Sequence, residues 1–315
     1  MSTLWLQARL AIAVAVMFAL IYGFITLIAY LMGAAYPVPL AALAVGIVVL
    51  QYVTGPKIVE ATMGVRYIDR ADNPELYDTV QRLAQLANLP MPRVGISKRK
   101  VPNAFAFGRS KKDGRVCVTG ALLERLNREE LEAVLAHEIS HLRHRDMVVI
   151  TMLSVIPLIC YFTFWTFLFG RGRRGSGAII AIAAFGLYLV TNLIVLYVSR
   201  IREYYADQGG AELTGRSHAL ASALYRITLD TTQVSREERK KVAGTKAFLA
   251  TDPSRAEKEV TDLRQADLDM DGHLDSYEVR QFADRATVSA SDRLMEVFSS
   301  HPNVVRRIQR LASIP

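Results

Sequence analysis

The stretch AHEISHLRHRDMVVI, residues 136–150, places two histidines one helical turn apart, with a glutamate directly after the first. On a helix, His137 and His141 share a face, so both rings can direct a nitrogen to one point. Glu138 stands one position round the helix, near enough to reach a water held there. This H-E-x-x-H spacing is typical of two zinc ligands with a glutamate as general base. The alternative for an isolated match is a helix with solvated histidines.

The residues before this motif predict the helix that carries it. Asn127 is a candidate N-cap, and Glu130 three positions later completes a capping-box pattern. Leu131, Val134 and Leu135 follow at helical spacing and supply an apolar face.

Long stretches of the chain are apolar. Asp, Glu, Lys and Arg are absent from residues 10–56, 147–170 and 175–199. A helix needs about 20 apolar residues to cross the hydrocarbon core, and uncharged runs of this length favour an integral membrane protein over a large buried core. The candidate spans are Leu10–Leu31, the short Val38–Val53, Met147–Gly170 and Ala178–Val198. The first run is too long for a signal-peptide core, so we do not expect it to be cleaved.

Basic residues set the expected orientation. Lys57, Arg66 and Arg70, and then KRK at 98–100, follow the first two runs, so the positive-inside rule places this segment in the cytoplasm of a multi-pass cell-membrane protein. The arginines of RGRRGSG, residues 171–177, contradict this rule if the last two runs cross, and the crossing stays open. The net charge of +8 fits a membrane-facing bias, and no motif indicates nucleic acid. Two distant cysteines, Cys117 and Cys160, imply no disulfide framework.

Catalytic zinc requires a third protein ligand and an open position. SRIREYYADQGGAEL, residues 199–213, follows the fourth apolar run and offers Glu203 as that ligand. Asp207 lies four residues on, on the same face, where it can accept a hydrogen bond from the far nitrogen of a ligand histidine. His144 is a rival ligand, although its position suggests a polar neighbour.

In combination, HEISH, an apolar hairpin and REYYAD resemble the HtpX-like membrane zinc metalloproteases, relatives of the CAAX-processing zinc proteases. VPNAFAFG (101–108) is similar to that family's edge strand beside the cleft, which implies substrate binding by Asn103, Ala104 and Phe105. SHPNVVRRIQRL (300–311) is similar to its His-Pro element, which implies that His301 or Arg307 meets the developing oxyanion. Each element also has an alternative without a functional role. Residues 101–108 can be an ordinary edge strand, and His301 can be a turn residue before Pro302.

The resemblance implies ATP-independent endoproteolysis of misfolded or damaged membrane proteins at the cytoplasmic face, a protein quality-control and stress-response activity. His137, His141 and Glu203 would hold the zinc, Glu138 would be the general base, and the partners would be unfolded or membrane-protein substrates and the bilayer. The rival functions are a membrane-bound calcium and zinc sensor without protease activity and a CAAX-type processing peptidase. The sequence indicates no oligomeric state.

Residues 251–291 differ in composition, with ten of the chain's 30 acidic residues. Within them DLDMDGHLDSYE, 267–278, fits the calcium-binding EF-hand loop position by position. The predicted calcium ligands are Asp267, Asp269, Asp271, His273 through its carbonyl, Asp275 and Glu278. The alternative is a solvated acidic loop. Calcium bound here would be a second cofactor with a regulatory role.

These patterns predict a mostly helical α+β protein: a zincin-like cytoplasmic catalytic domain on about four membrane helices. A strand region around 91–120 precedes the zinc helix. The predicted divisions are an N-terminal transmembrane hairpin (1–56), the first catalytic part (57–146), a second membrane hairpin (147–199), the second catalytic part (200–250), the EF-hand-like insert (251–291) and the C-terminal His-Pro element (292–315).

Overall fold

The computed structural model describes residues 3–32, 37–169, 176–235, 237 and 256–314. The chain divides into two compact units. Unit 1 is Met1–Gly55 with Val148–Ile201, and unit 2 is Pro56–Met147 with Arg202–Pro315. The predicted arginine-rich tip lies largely at residues 170–175, outside the described residues.

Helices make up most of the described chain. In chain order they are α1 Thr3–Met32, α2 Pro37–Met63, α3 Pro74–Leu86, α4 Gly120–Arg125, α5 Arg128–His144, α6 Asp146–Leu153, α7 Val155–Phe169, α8 Ser176–Thr214, α9 Ser217–Gln233, α10 Ala256–Leu263, α11 Ser276–Arg285, α12 Ala290–Glu296 and α13 Val304–Ala312. The strands are β1 Val65–Tyr67, β2 Arg93–Ser97, β3 Ala104–Phe107 and β4 Arg115–Thr119.

Unit 1 is built from apolar helices. Met17, Cys160 and Ala184 are fully buried among them, whereas large apolar side chains such as Tyr22 and Ile182 are exposed. Exposed apolar side chains on apolar helices suit a lipid surrounding.

Three stretches of the described chain are long and apolar enough to cross a membrane. They are Gln7–Phe24, Asp146–Phe169 and Gly177–Thr214. The fourth predicted span, Val38–Val53, lies within α2, and its crossing stays a prediction.

Unit 2 contains a four-stranded sheet in the order β1-β2-β4-β3. β2 and β4 are parallel, while β1 and β3 run antiparallel to their neighbours. The predicted strand region is therefore confirmed, and β3 is an edge strand of this sheet. β1 was not predicted, because three residues of mixed polarity give little periodic signal.

Helix α3 shows how an N-cap and one apolar helix face contribute to the hydrophobic core of unit 2. Asn73 caps it by accepting from the Leu76 N–H, and Pro74 occupies the first helical position. Leu76 and Leu83 then face inward and are buried, whereas Leu86 is 53% exposed. The inward face joins a core formed with the sheet and with α5, α9 and α13.

We expect Leu83→Ala to destabilise unit 2 by about 2–5 kcal/mol, because it leaves a cavity in a closed core. Leu86→Ala, on the exposed face of the same helix, is the matched control and should change stability by less than about 0.5 kcal/mol. Thermal unfolding of the full chain in detergent measures both. Similar melting temperatures for the two variants would contradict this packing.

Candidate metal centre

Helix α5 presents the histidine pair. The predicted capping box is confirmed: Asn127 Oδ1 accepts from the Glu130 N–H at 2.9 Å, and Glu130 Oε2 accepts from the Asn127 N–H at 3.0 Å. The helix then continues to His144, so both histidines lie on one face in its last two turns.

The three predicted zinc ligands lie together. His137 Nε2 and His141 Nε2 are 3.1 Å apart, and oxygens of Glu203, from α8, lie 3.6 and 3.5 Å from them. Neighbouring ligand atoms of a tetrahedral zinc site are roughly 3.3 Å apart, given bond lengths near 2.0–2.1 Å. The donor set and its spacing therefore fit zinc.

The outer nitrogens of both rings face carboxylates. His137 Nδ1 lies 3.0 Å from Asp207 Oδ1, and His141 Nδ1 lies 2.6 Å from Asp146 Oδ2. A carboxylate only accepts, so we infer that in the neutral form of each ring Nδ1 carries the hydrogen and Nε2 presents a lone pair. Two lone pairs 3.1 Å apart repel each other unless a cation lies between them.

The pKa values of the two histidines also indicate that a cation is favoured between the rings. Burial would lower the pKa of His137, but hydrogen bonds to Asp207 and Glu203 outweigh it and raise that pKa to about 9. Burial and the charge of His137 lower the pKa of His141. The arrangement thus favours one positive charge between the rings, whether a proton or a metal ion.

The charges buried around the cluster also fit a divalent cation. The described residues there include four carboxylates and two guanidinium groups, each at least nine-tenths buried: Glu138, Asp146, Glu203, Asp207, Arg202 and Arg307. With the histidine rings neutral and all four carboxylates ionised, two negative charges are left over, and a divalent ion balances them. Unbalanced buried charge is costly.

Arg307 contacts the two carboxylates that α8 contributes to the centre. Its Nε and one terminal nitrogen donate to the two oxygens of Asp207, at 2.9 and 2.6 Å. Its other terminal nitrogen lies 3.4 Å from Glu203. The guanidinium therefore orients Asp207 and Glu203.

His301 faces the cluster from the segment before α13. Its Nε2 lies 3.7 Å from Glu203 Oε1, on the ligand side. Ser300 Oγ lies 3.0 Å from His301 Nδ1. Both residues predicted to meet an oxyanion thus lie beside Glu203, and Arg307 is the one that also donates to Asp207.

Glu138 is held by the edge strand of the sheet. The Ala106 N–H donates a hydrogen bond to the Glu138 carboxylate. Burial raises the pKa of Glu138. A raised pKa suits a group that accepts and returns a proton near neutral pH.

The hydrogen-bond pattern of β3 shows which backbone groups face outward. Thr119 donates its N–H to the Asn103 carbonyl at 2.8 Å, and Phe105 pairs with Cys117 in the same register. Backbone direction alternates along a strand, so Ala104 and Ala106 direct their N–H and C=O groups away from β4. Asn103, Ala104 and Phe105 are buried as whole residues.

Two features of the centre, the contacts of Asp146 and of Arg202, were not predicted from the sequence, whereas the place of His144 agrees with the expected polar neighbour. His144, weighed as a rival ligand, lies outside the cluster, with Ser140 Oγ 3.3 Å from its ring. Asp146 contacts His141, and Arg202 forms an ion pair with Asp146 and donates to the His144 carbonyl at 3.1 Å. The signal for Asp146 was its charge at the edge of an uncharged run.

A glycine pair in α8 lets the two ligand helices approach. A Cβ on Gly210 would lie 3.0 Å from His137 N and 3.1 Å from His137 Cα, and one on Gly209 would lie 2.2 Å from Ser140 Oγ. The absence of side chains there brings Glu203 and Asp207, on the same helix, within reach of the histidines.

The acidic insert forms a loop between α10 and α11. Carboxylates of Asp267, Asp269 and Asp271 lie within 4.8 Å of one another. Gly272 has a φ of +85°, which favours glycine, and its N–H donates to Asp267 Oδ2 at 3.0 Å.

The second predicted half of the loop starts α11. Asp275 Oδ1 accepts from the N–H groups of Tyr277 and Glu278, and Glu278 Oε2 accepts from the Asp275 N–H. The other oxygen of Glu278 accepts from the Leu268 N–H at 2.7 Å. The carboxylates of Asp267 and Glu278 thus both close the loop. The His273 ring contacts Glu130 of α5.

Comparison with known proteins gives consistent matches. The model of Peptidase family M48 matches residues 70–314. The Protease HtpX homolog of Methanothermobacter thermautotrophicus is 48% identical over 229 residues, covering 73% of this chain and 88% of that protein. The Protease HtpX homolog 2 of Methanosarcina acetivorans is 32% identical over 316 residues, covering 98% and 95%. Among solved structures, S. mikatae Ste24p shares the fold, with a TM-score of 0.52 at 16% identity, covering 98% of this chain and 67% of that one.

We expect Gly210→Ala to push α8 away from the α5 backbone, which costs about 1–3 kcal/mol as overpacking and reduces zinc retention. Gly186→Ala is the matched control, because it lies in the same helix with no atom within 4 Å of an added Cβ. Melting temperature and metal content of the purified variants are the measurements. Full zinc retention by Gly210→Ala would show that the close approach does not shape the site.

Proposed function

The chain belongs to peptidase family M48, and we propose that it is a zinc-dependent endopeptidase that hydrolyses peptide bonds of misfolded or damaged membrane proteins at the cytoplasmic face of the cell membrane. The observation that carries this proposal is the convergence of His137, His141 and Glu203, from two helices, beside the carboxylate of Glu138. A purely structural metal site has no need for that fourth residue.

Zinc bound by these ligands would supply Lewis-acid polarisation of the scissile carbonyl and lower the pKa of a water to about 7. Glu138 takes the proton from the attacking water and returns it to the leaving amine. Burial keeps this carboxylate out of bulk water, and the Ala106 N–H fixes its position.

We assign the oxyanion contact to His301, whose Nε2 lies 3.7 Å from Glu203 Oε1. Arg307 is a positioning residue, because three of its nitrogens lie against Asp207 and Glu203. We expect an extended substrate to add to the outer edge of β3 through the backbone of Ala104. Because Ala104 is 2% exposed, the structure that covers it must move aside for the substrate.

The membrane association of the substrates is supported by the order of segments in the chain. The uncharged run that starts at Met147 follows the histidine motif directly, and Glu203 comes four positions after Ser199, where the next uncharged run ends. Both ligand segments thus adjoin candidate spans. The basic residues after α2 support a cytoplasmic orientation.

Glu138→Gln should retain zinc but lower kcat for casein cleavage by at least about 10²-fold, because the general base is lost while the ligands remain. Glu129→Gln, at an exposed position on the same helix, is the matched control and should cleave normally. Metal analysis and cleavage assays of the detergent-purified chain, with and without chelator, measure this. Normal cleavage by Glu138→Gln would refute its role, and a wild-type protein without cleavage would favour the sensor function.

We further propose that the acidic loop binds calcium and modulates this activity. Among the described residues, Asp267 Oδ1 is buried without a hydrogen-bond partner, and the carboxylates of Asp269 and Asp271 lie within 4.8 Å of the Asp267 carboxylate. A hard divalent cation with oxygen ligands would relieve their mutual repulsion.

The loop has a direct connection to the zinc-ligand helix. His273 Nδ1 lies 2.8 Å from Glu130 Oε1, and Ser222 Oγ accepts from the Leu274 N–H at 2.8 Å while donating to the same Glu130 oxygen at 2.5 Å. Glu130 belongs to the capping box of α5. Ordering the loop would therefore act on the start of that helix.

Calcium at 100 times its dissociation constant should stabilise the zinc-loaded protein by about 2.7 kcal/mol and raise its melting temperature. Asp269→Asn should abolish most of this shift, because a loop carboxylate is lost, whereas Asp284→Asn, at an exposed position on α11, should not. Magnesium serves as the ion control. An unchanged melting temperature and cleavage rate across a calcium titration would contradict the proposal.

A further inference from the structure

The chain bends sharply directly after the histidine pair. Arg145 ends α5 in the left-handed conformation, with φ 57° and ψ 40°, and α6 begins at the next residue. This conformation is unfavourable for residues other than glycine, so the surrounding structure must maintain it.

The bend brings Asp146 back to His141. On a straight helix, residues five positions apart point about 140° away from each other, and a contact between these two side chains would be excluded. With Arg145 left-handed, Asp146 Oδ2 lies 2.6 Å from His141 Nδ1. The carboxylate is buried, with 6% of the residue exposed.

The same carboxylate also reaches the other ligand helix. Its second oxygen forms an ion pair with Arg202, which is itself 5% exposed. Arg202 precedes the ligand Glu203 in α8 and donates to the His144 carbonyl at 3.1 Å. Asp146 therefore contacts a ligand from α5 and the neighbour of a ligand from α8.

We propose that Asp146 is a positioning residue of the metal centre, an inference that rests on the proposed zinc site. Through one oxygen it holds the hydrogen of His141 on Nδ1, so that the Nε2 lone pair faces the metal. Through the other it neutralises Arg202 and holds the turn of α8 that carries Glu203. Arg145 supplies the bend that makes both contacts available to one side chain.

The test is the zinc dissociation constant of the full chain in detergent, measured by competition with a chromophoric chelator. Asp146→Asn should raise that constant about 10- to 100-fold, and it should shift the visible absorption of the cobalt-substituted protein because the His141 ring is reoriented. Arg143→Gln, at an exposed position of α5, is the control and should leave both quantities unchanged.

A folding defect is separated from a positioning effect by a second variant. Asp146→Asn combined with Arg202→Gln buries no unpaired charge, so it should fold even if the single variant does not, and its zinc affinity should still fall at least tenfold. Affinity within twofold of the wild-type value in either folded variant would overturn the proposal. Absence of zinc binding by the wild-type protein would instead refute the proposed function.

Discussion

Two imidazole nitrogens that face each other 3.1 Å apart are the constraint on which the rest of this centre depends. Asp207 and Asp146 fix the hydrogen of each ring on the outer nitrogen, so the inner lone pairs cannot relieve their repulsion by rotation or tautomer exchange. The buried arginines follow from the same constraint, because carboxylates that fix the rings need compensation in a medium of low dielectric. Several charged carboxylates and arginines are thus buried close together around the two histidines.

Close helix packing makes this concentration of charge possible. Ligands on α5 and α8 converge only because Gly210 allows α8 to approach the His137 backbone. A side chain at that position would separate the helices and lengthen the contacts of Asp207 and Glu203 together. The glycine pair is therefore needed for the ligands to converge, although only the ligands would contact the metal.

The sequence predicted what depends on helical spacing within a single element. The capping box at Asn127 and the shared face of the histidines follow from three- and four-residue intervals, and so does the placement of Asp207 relative to Glu203. Asp146 escaped prediction because its contact requires a left-handed residue that is not glycine, which no spacing rule indicates. The pairing of Arg307 with Asp207 escaped it because 100 residues separate them, and the resemblance suggested a contact with substrate instead.

The burial of Glu130 links this residue to the presence of the acidic insert among relatives. This residue is 2% exposed, and its carboxylate is contacted by the N-cap Asn127 N–H, by Ser222 in α9 and by His273 in the insert. Removal of the insert would leave a buried acid with one neighbour fewer, and a polar group in that position is costly to leave poorly satisfied. The insert and the residue at position 130 should therefore vary together among relatives: chains without the loop should carry a different side chain there, or a new donor to replace the lost imidazole.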